Sequence, residues 1–340
     1  MFSRRRKPDI ENLYKVLRRE IPARVTLFEL FMNDSLYELL TGRKSPEGTL
    51  AGLQWRAEAF AAAGYDYVSA HASAMSFPAG KKDHGKQTIS LNDGYVITDE
   101  QSLLAYRWPD PEDYDISALS AIVPMLPDGM KLMVMGPGGV LENVIALTGY
   151  ENLCVMLYDD PDVTRAVFDG VGSRLVRYYE MAAPLETVGL IMSNDDWGFN
   201  TQTFLTPAMM RQYVFPWHRR IVETAHRFGK PCLLHSCGNC RDIIGDIVGL
   251  GYDGKHSYED NILPVEEAYE AWHSQIAILG GIDLDFLIRS TPEEIRTRCR
   301  RMIERTRRDG GWALGTGNSV PEYIPVENYS AMVETALEGD

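Results

Sequence analysis

The chain of 340 residues lacks any uninterrupted apolar run near the ~18 residues that a membrane-spanning helix needs, so no spanning helix is expected. It is short of positive charge. Its 34 Lys and Arg stand against 48 Asp and Glu, a formal net charge of −14. Neutralising a phosphate backbone needs the opposite balance, which excludes a nucleic-acid partner. The only basic cluster, Arg4-Arg5-Arg6-Lys7, runs into Pro8-Asp9-Ile10-Glu11 and not into an apolar stretch. It does not read as a secretory signal, and a cytoplasmic location is expected. Cysteine is scarce: five residues, an odd number, make no disulfide framework in a chain of this length. Internal repeats, low-complexity segments and a linker between domains are also missing, so residues 1–340 read as one domain.

What is present is the composition of an ordinary globular protein, 45% hydrophobic and 24% charged. Eight short apolar, β-branched runs recur: 24–31, 65–70, 131–135, 190–193, 232–235, 253–256, 276–279 and 312–315. They lack strict alternation, as buried parallel strands do. Helical stretches lie between them. Gly52–Ala63 is Ala-rich, Asp162–Ala183 is long and amphipathic, and Pro325–Leu337 supplies a last helix. Thr206-Pro207 opens a helix over Met209–Phe228, and Thr291-Pro292-Glu293-Glu294 opens another with Glu294 placed for a capping box. Strands alternating with helices point to an α/β fold, a (β/α)₈ TIM barrel with an N-terminal helical extension. An open doubly wound sheet is the rival, and the G-x-G-x-x-G fingerprint is absent after the first run. The connection from Ala72 to Pro127 is far longer than a usual βα loop. It contains Phe77-Pro78-Ala79-Gly80-Lys81-Lys82 and Trp108-Pro109-Asp110-Pro111, and reads as a long insertion after the second strand that covers the barrel mouth.

In a parallel barrel, chemistry sits at the C-terminal strand ends. Those ends carry Glu29; His71; Gly136-Pro137-Gly138-Gly139; Asn194-Asp195-Asp196; His235-Ser236-Cys237; His256 with Glu259 and Asp260; Gly281-Ile282-Asp283; and Gly315-Thr316-Gly317-Asn318. That density of polar groups points to an enzyme. His235 and Cys237, two apart, can project to one side; an imidazole and a thiolate suit zinc. The alternative is a buried His and Cys filling the barrel top. Cys237 and Cys240 also form a C-x-x-C pair, though without the βαβ context of a redox motif. Cys154 and Cys299 read as small core or helix residues. Adjacent acids on a strand point to opposite sides, so of Asp195 and Asp196 at most one faces the cavity. The Gly138-Gly139 turn can present backbone N–H groups to a phosphate or carboxylate. His71 is either an inward ligand or a satisfied core histidine.

The segment Leu234-His235-Ser236-Cys237-Gly238-Asn239, with Lys255-His256-Ser257-Tyr258-Glu259-Asp260, Ile278-Leu279-Gly280-Gly281-Ile282-Asp283 and Gly315-Thr316-Gly317-Asn318, resembles the uroporphyrinogen decarboxylase superfamily. The resemblance is strongest over roughly residues 190–338, and Asn194–Gly198 and Phe204–Pro216 share it. It implies one of two activities. The decarboxylases use no cofactor and hold a tetrapyrrole with arginines, partly from an N-terminal motif like R-Q-A-G-R. Here the first strand reads Arg24-Val25-Thr26-Leu27-Phe28-Glu29-Leu30-Phe31 and lacks it. The corrinoid-dependent methyltransferases move a methyl group between a corrinoid protein and a thiol or other small acceptor. Their zinc is held by His-x-Cys plus a late cysteine.

His235 and Cys237 match the first two ligands, but the late cysteine's position holds Asn318. Resemblance to cobalamin-independent methionine synthases nominates Glu259 as the third ligand, with His256 competing. The implied assignment is zinc on His235, Cys237 and Glu259; substrate on Asp195, Asp196 and Asn318; and cofactor contacts at Glu29, His71, Gly138 and Gly139. Corrinoid would arrive on a partner protein, and the barrel edge would suit a homodimer. Decarboxylation is the second expectation, and a non-catalytic corrinoid- or porphyrin-binding protein the third.

Overall fold

A computed structural model describes residues 6–80 and 90–338. Lys81 and Lys82 of the long connection, and Arg4 and Arg5 of the basic cluster, lie outside the described residues. Seven strands form one sheet: β1 (Tyr67–His71), β2 (Lys131–Met135), β3 (Val188–Asn194), β4 (Cys232–His235), β5 (Gly254–His256), β6 (Ala277–Leu279) and β7 (Trp312–Ala313). Each pairs in parallel with the next, in the order β1 to β7. Helices intervene, so the sheet curls into a TIM-barrel-like α/β fold.

The expected eighth strand needs correction. The run 24–31 makes a single parallel bridge, Leu27 with Leu314, where Phe28 N–H donates to Leu314 and Leu314 N–H to Thr26, each at 2.8 Å. Toward β1, side chains replace a ladder. The Tyr67 hydroxyl donates to the Glu29 carbonyl at 2.5 Å, and Ser69 Oγ donates to the Leu30 carbonyl. The run therefore fills the gap between β7 and β1 without forming a full strand. Gly315 permits this closeness, since a Cβ there would lie 1.6 Å from the Phe28 carbonyl oxygen.

Helices form where the residue pattern places them. Thr49–Ala63 packs Trp55 and Phe60 inward, against Tyr37, Tyr65 and Tyr67. Thr291 and Glu294 complete a capping box on Pro292–Thr306. Thr206 caps Pro207–Met209, after which a π-helical turn, Met210–Val214, leads into Phe215–Arg227. Pro161–Ala182 and Val326–Leu337 match the expected helices within a residue or so.

The long connection packs against the outer helices. Val96 and Ile97 N–H donate to Leu147, Arg174 Nε donates to the Pro109 carbonyl, and Thr187 Oγ1 donates to the Leu119 carbonyl. It thus runs along the outer helices to the base of β3. Among the described residues no single helix is long and apolar enough to cross a membrane. Val140–Thr148 and Tyr150–Asp159 pass that test only as a pair bent by 94°.

Candidate metal centre

The β3–β4 register sets Asn194 opposite His235. Two residues further along each chain, Asp196 meets Cys237, and Cys237 N–H donates to Asp196 Oδ1 at 2.8 Å. His235 Nε2 lies 3.6 Å from Cys237 Sγ and 3.9 Å from Asp196 Oδ1. Ligand atoms of all three residues fall within 4.8 Å of one another. The His256–Ser257 peptide is cis, and Ser257 Oγ donates to Cys237 Sγ at 3.5 Å. Asn318 Nδ2 donates to the same sulfur at 3.1 Å.

The hydrogen bonds fix the imidazole tautomers. His256 Nε2 lies 3.1 Å from the Thr316 carbonyl, which can only accept, so that nitrogen carries the proton. The other nitrogen of neutral His256 is then an acceptor, and it lies 2.8 Å from His235 Nδ1. His235 donates from Nδ1 and keeps a bare lone pair on Nε2, turned toward Cys237 and Asp196. Burial, then the Lys255 charge, pushes the His235 pKa down to about 3, and burial holds His256 well below its ordinary value. Both rings are neutral at pH 7.

This donor set fits zinc. Bonds of about 2.3 Å to sulfur and about 2.05 Å to nitrogen, at a tetrahedral angle, set S and N about 3.6 Å apart, the separation observed here. The bare lone pair of His235 Nε2, the Cys237 sulfur and the Asp196 carboxylate turn toward one another, and the hydrogen they share is that of the Cys237 thiol, which a cation would displace. Burial and then the Asp196 charge push the Cys237 thiol up to about 12, so it would ionise only beside a strong Lewis acid.

Comparison with known proteins gives the chain's family and fold. The family model described as uroporphyrinogen decarboxylase (URO-D) matches residues 96–338, well over half of the chain. The chain belongs to the uroporphyrinogen decarboxylase family. It is 25% identical over 270 residues to a uroporphyrinogen decarboxylase from Anaeromyxobacter sp. (strain Fw109-5), a match covering 76% of this chain and 74% of the relative. One from Anaeromyxobacter dehalogenans (strain 2CP-C) is 24% identical over 269 residues, with the same coverage. Among solved structures, a methyltransferase from Methanosarcina mazei shares the fold, with a TM-score of 0.69 over 96% of this chain and 97% of that one, at 17% identity.

Within this family scaffold, the residues singled out from the sequence take different places. Asp195 and Asp196 do point apart. Asp195 is 0% exposed and its carboxylate is fully engaged, accepting from Leu141 N–H and Glu142 N–H at 2.9 Å and from His218 Nε2 at 2.8 Å. It caps the helix Val140–Thr148 and is turned away from the metal centre. Gly139 is obligatory beneath it, because a Cβ there would lie 2.1 Å from Asp195 Cγ. The Gly139 N–H already donates to Glu142 Oε2 at 3.0 Å, so with Asp195 the chain's own carboxylates occupy this helix start. Gly138 adopts a positive φ of 80° in the same turn.

Glu29 is buried and bound to Thr316. His71 stands exposed at the end of β1, its pKa lowered by the surrounding protein and by Arg56. Glu259 lies outside the three-residue group; burial and the neighbouring Asp283 and Asp196 raise its pKa. His256 backs His235 and does not join the cluster. All five cysteines are free, so Cys237 and Cys240 form no disulfide.

The reading of residues alone gave no role to Lys255, Thr316, His218 or Glu142. Lys255 is fully buried below the site, its ammonium donating to the Ser257 carbonyl at 2.8 Å and lying 4.6 Å from the Tyr258 ring centre. A lysine inside a run that otherwise reads as a buried strand was the available signal. A cleft of about 910 Å³ adjoins the site, bounded by Glu259, Asp260, Asp283, Asn318 and Tyr323.

Proposed function

We propose that this protein is a zinc-dependent methyltransferase that moves a methyl group between a corrinoid, carried on a partner protein, and a thiol or other small acceptor. The observation that carries this reading is the convergence of His235, Cys237 and Asp196, whose ligand atoms lie within 4.8 Å of one another, with His235 Nε2 and Cys237 Sγ at the separation of two zinc ligands. His235, Cys237 and Asp196 would hold the metal. Asp196 takes the third place here, and Glu259 stands at the cleft, facing arriving substrate. When bound, zinc would supply the Lewis acidity that turns a thiol, with an ordinary pKa of about 8.5, into a thiolate at neutral pH.

The chain's own groups do the rest. His256 holds the His235 ring, Asn318 and Ser257 hold the Cys237 sulfur, and the cleft orients substrate from the Asn318 side. Charge favours this reading over decarboxylation. Glu259, Asp260, Asp283 and Asp285 line the cleft, with Arg289 paired to Asp285 and Asp260 paired to Arg298. A tetrapyrrole with eight carboxylates would be repelled from such a mouth.

The test is turnover of methylcob(III)alamin to cob(I)alamin with a small thiol, followed by absorbance. The zinc-loaded protein should transfer the methyl group, and Cys237→Ala should lose at least ~100-fold in rate. Conversion of uroporphyrinogen to coproporphyrinogen by metal-free protein, without methyl transfer, would overturn the proposal.

A further inference from the structure

Thr316 lies just beyond β7, where the chain still pairs with Ile282. Its carbonyl accepts from Gly281 N–H at 2.9 Å and from His256 Nε2 at 3.1 Å. Gly280 leaves the room for this approach, since a Cβ there would lie 2.2 Å from the Thr316 oxygen and 3.0 Å from His256 Nε2. The Thr316 hydroxyl lies 2.6 Å from Glu29 Oε1 and 2.5 Å from the Asn318 carbonyl oxygen. One hydroxyl hydrogen serves only one of those oxygens. The Asn318 carbonyl can only accept, so the hydroxyl donates there, and Glu29 in its acid form donates to the hydroxyl. The Asn318 side chain is oriented in turn: Ser319 N–H donates to Oδ1 at 2.8 Å, which leaves the NH₂ to face Cys237 Sγ.

We propose that Thr316 is a positioning residue of the zinc site. Its carbonyl orients His235 through His256, and its hydroxyl orients Asn318 against the Cys237 sulfur. One residue thereby steers two ligands from opposite sides. Groups of this kind outside the ligand set typically account for about 10- to 100-fold in metal affinity. The inference rests on the zinc reading above.

The experiment measures zinc affinity by chelator competition, together with the cobalt–thiolate absorption band of the Co(II)-substituted protein. Thr316→Val should bind zinc at least ~10-fold more weakly and shift the band. Thr316→Ser, which keeps the hydroxyl, should restore both. If Thr316→Val fails to fold, Thr316→Ala decides the hydroxyl arm, with a shifted band expected and an unshifted one contradicting it. A wild type that binds zinc while Thr316→Val matches it in affinity and spectrum overturns this role alone. A wild type that binds no zinc overturns the zinc reading itself.

Discussion

Burial pushes the Glu29 carboxyl up to about 8, against backbone N–H bonds from Thr316 and Leu30 that pull the other way. In the unfolded chain a glutamate titrates near ~4.3. Between those values the folded protein holds a proton that the unfolded chain has released, so stability falls as pH rises from ~4.3 to ~8 and is flat above. Glu29→Gln keeps a donor for Thr316 and removes that penalty. The variant should melt several degrees above wild type at pH 9, at roughly 2 °C per kcal/mol, with the gap closing by pH 4. Equal midpoints at both pH values would show that Glu29 is not a neutral acid. Asn318 offers a second test at this scale. Asn318→Cys puts a thiolate where the sulfur-facing amide stands, and should tighten zinc binding by at least ~10-fold in a chelator competition; unchanged affinity would place residue 318 outside reach of the metal.

His235 and Cys237 were legible as a pair because both lie on one strand end, two residues apart. Asp196 was not, because its partnership with Cys237 depends on the β3–β4 register. Only pairing Asn194 with His235 brings the second acid, and not the first, to the sulfur.

At the scale of elements, Asp195 belongs to the helix Val140–Thr148 more than to the site. Removing its carboxylate strands two helix N–H groups and a buried imidazole whose other nitrogen meets the Tyr252 hydroxyl at 2.6 Å. Asp195→Ala should therefore lower stability by about 3–5 kcal/mol in denaturant unfolding. A stable but inactive Asp195→Ala would instead assign it to catalysis. Strand and helix positions were readable because buried parallel strands are short apolar runs, and because caps such as Thr291–Glu294 announce helix starts. The run 24–31 looked the same as the others. What separates it is that Tyr67 and Ser69 satisfy its carbonyls with hydroxyls, which a pattern of apolar residues does not encode.

At the scale of the molecule, the chain carries a net charge of −14, and Glu259, Asp260, Asp283 and Asp285 line the cleft that adjoins the site. The barrel brings β3, β4, β5 and the turn after β7 to one point, and the account stands on what that point binds. X-ray absorption at the zinc edge of the purified protein tests this most directly. The account predicts about one zinc per chain, with a single sulfur scatterer at about 2.3 Å, lost in Cys237→Ala, and the remaining ligands nitrogen or oxygen at about 2.0–2.1 Å. Zinc with no sulfur in its shell, or with two sulfurs, or a protein that takes up no zinc at all, would contradict it.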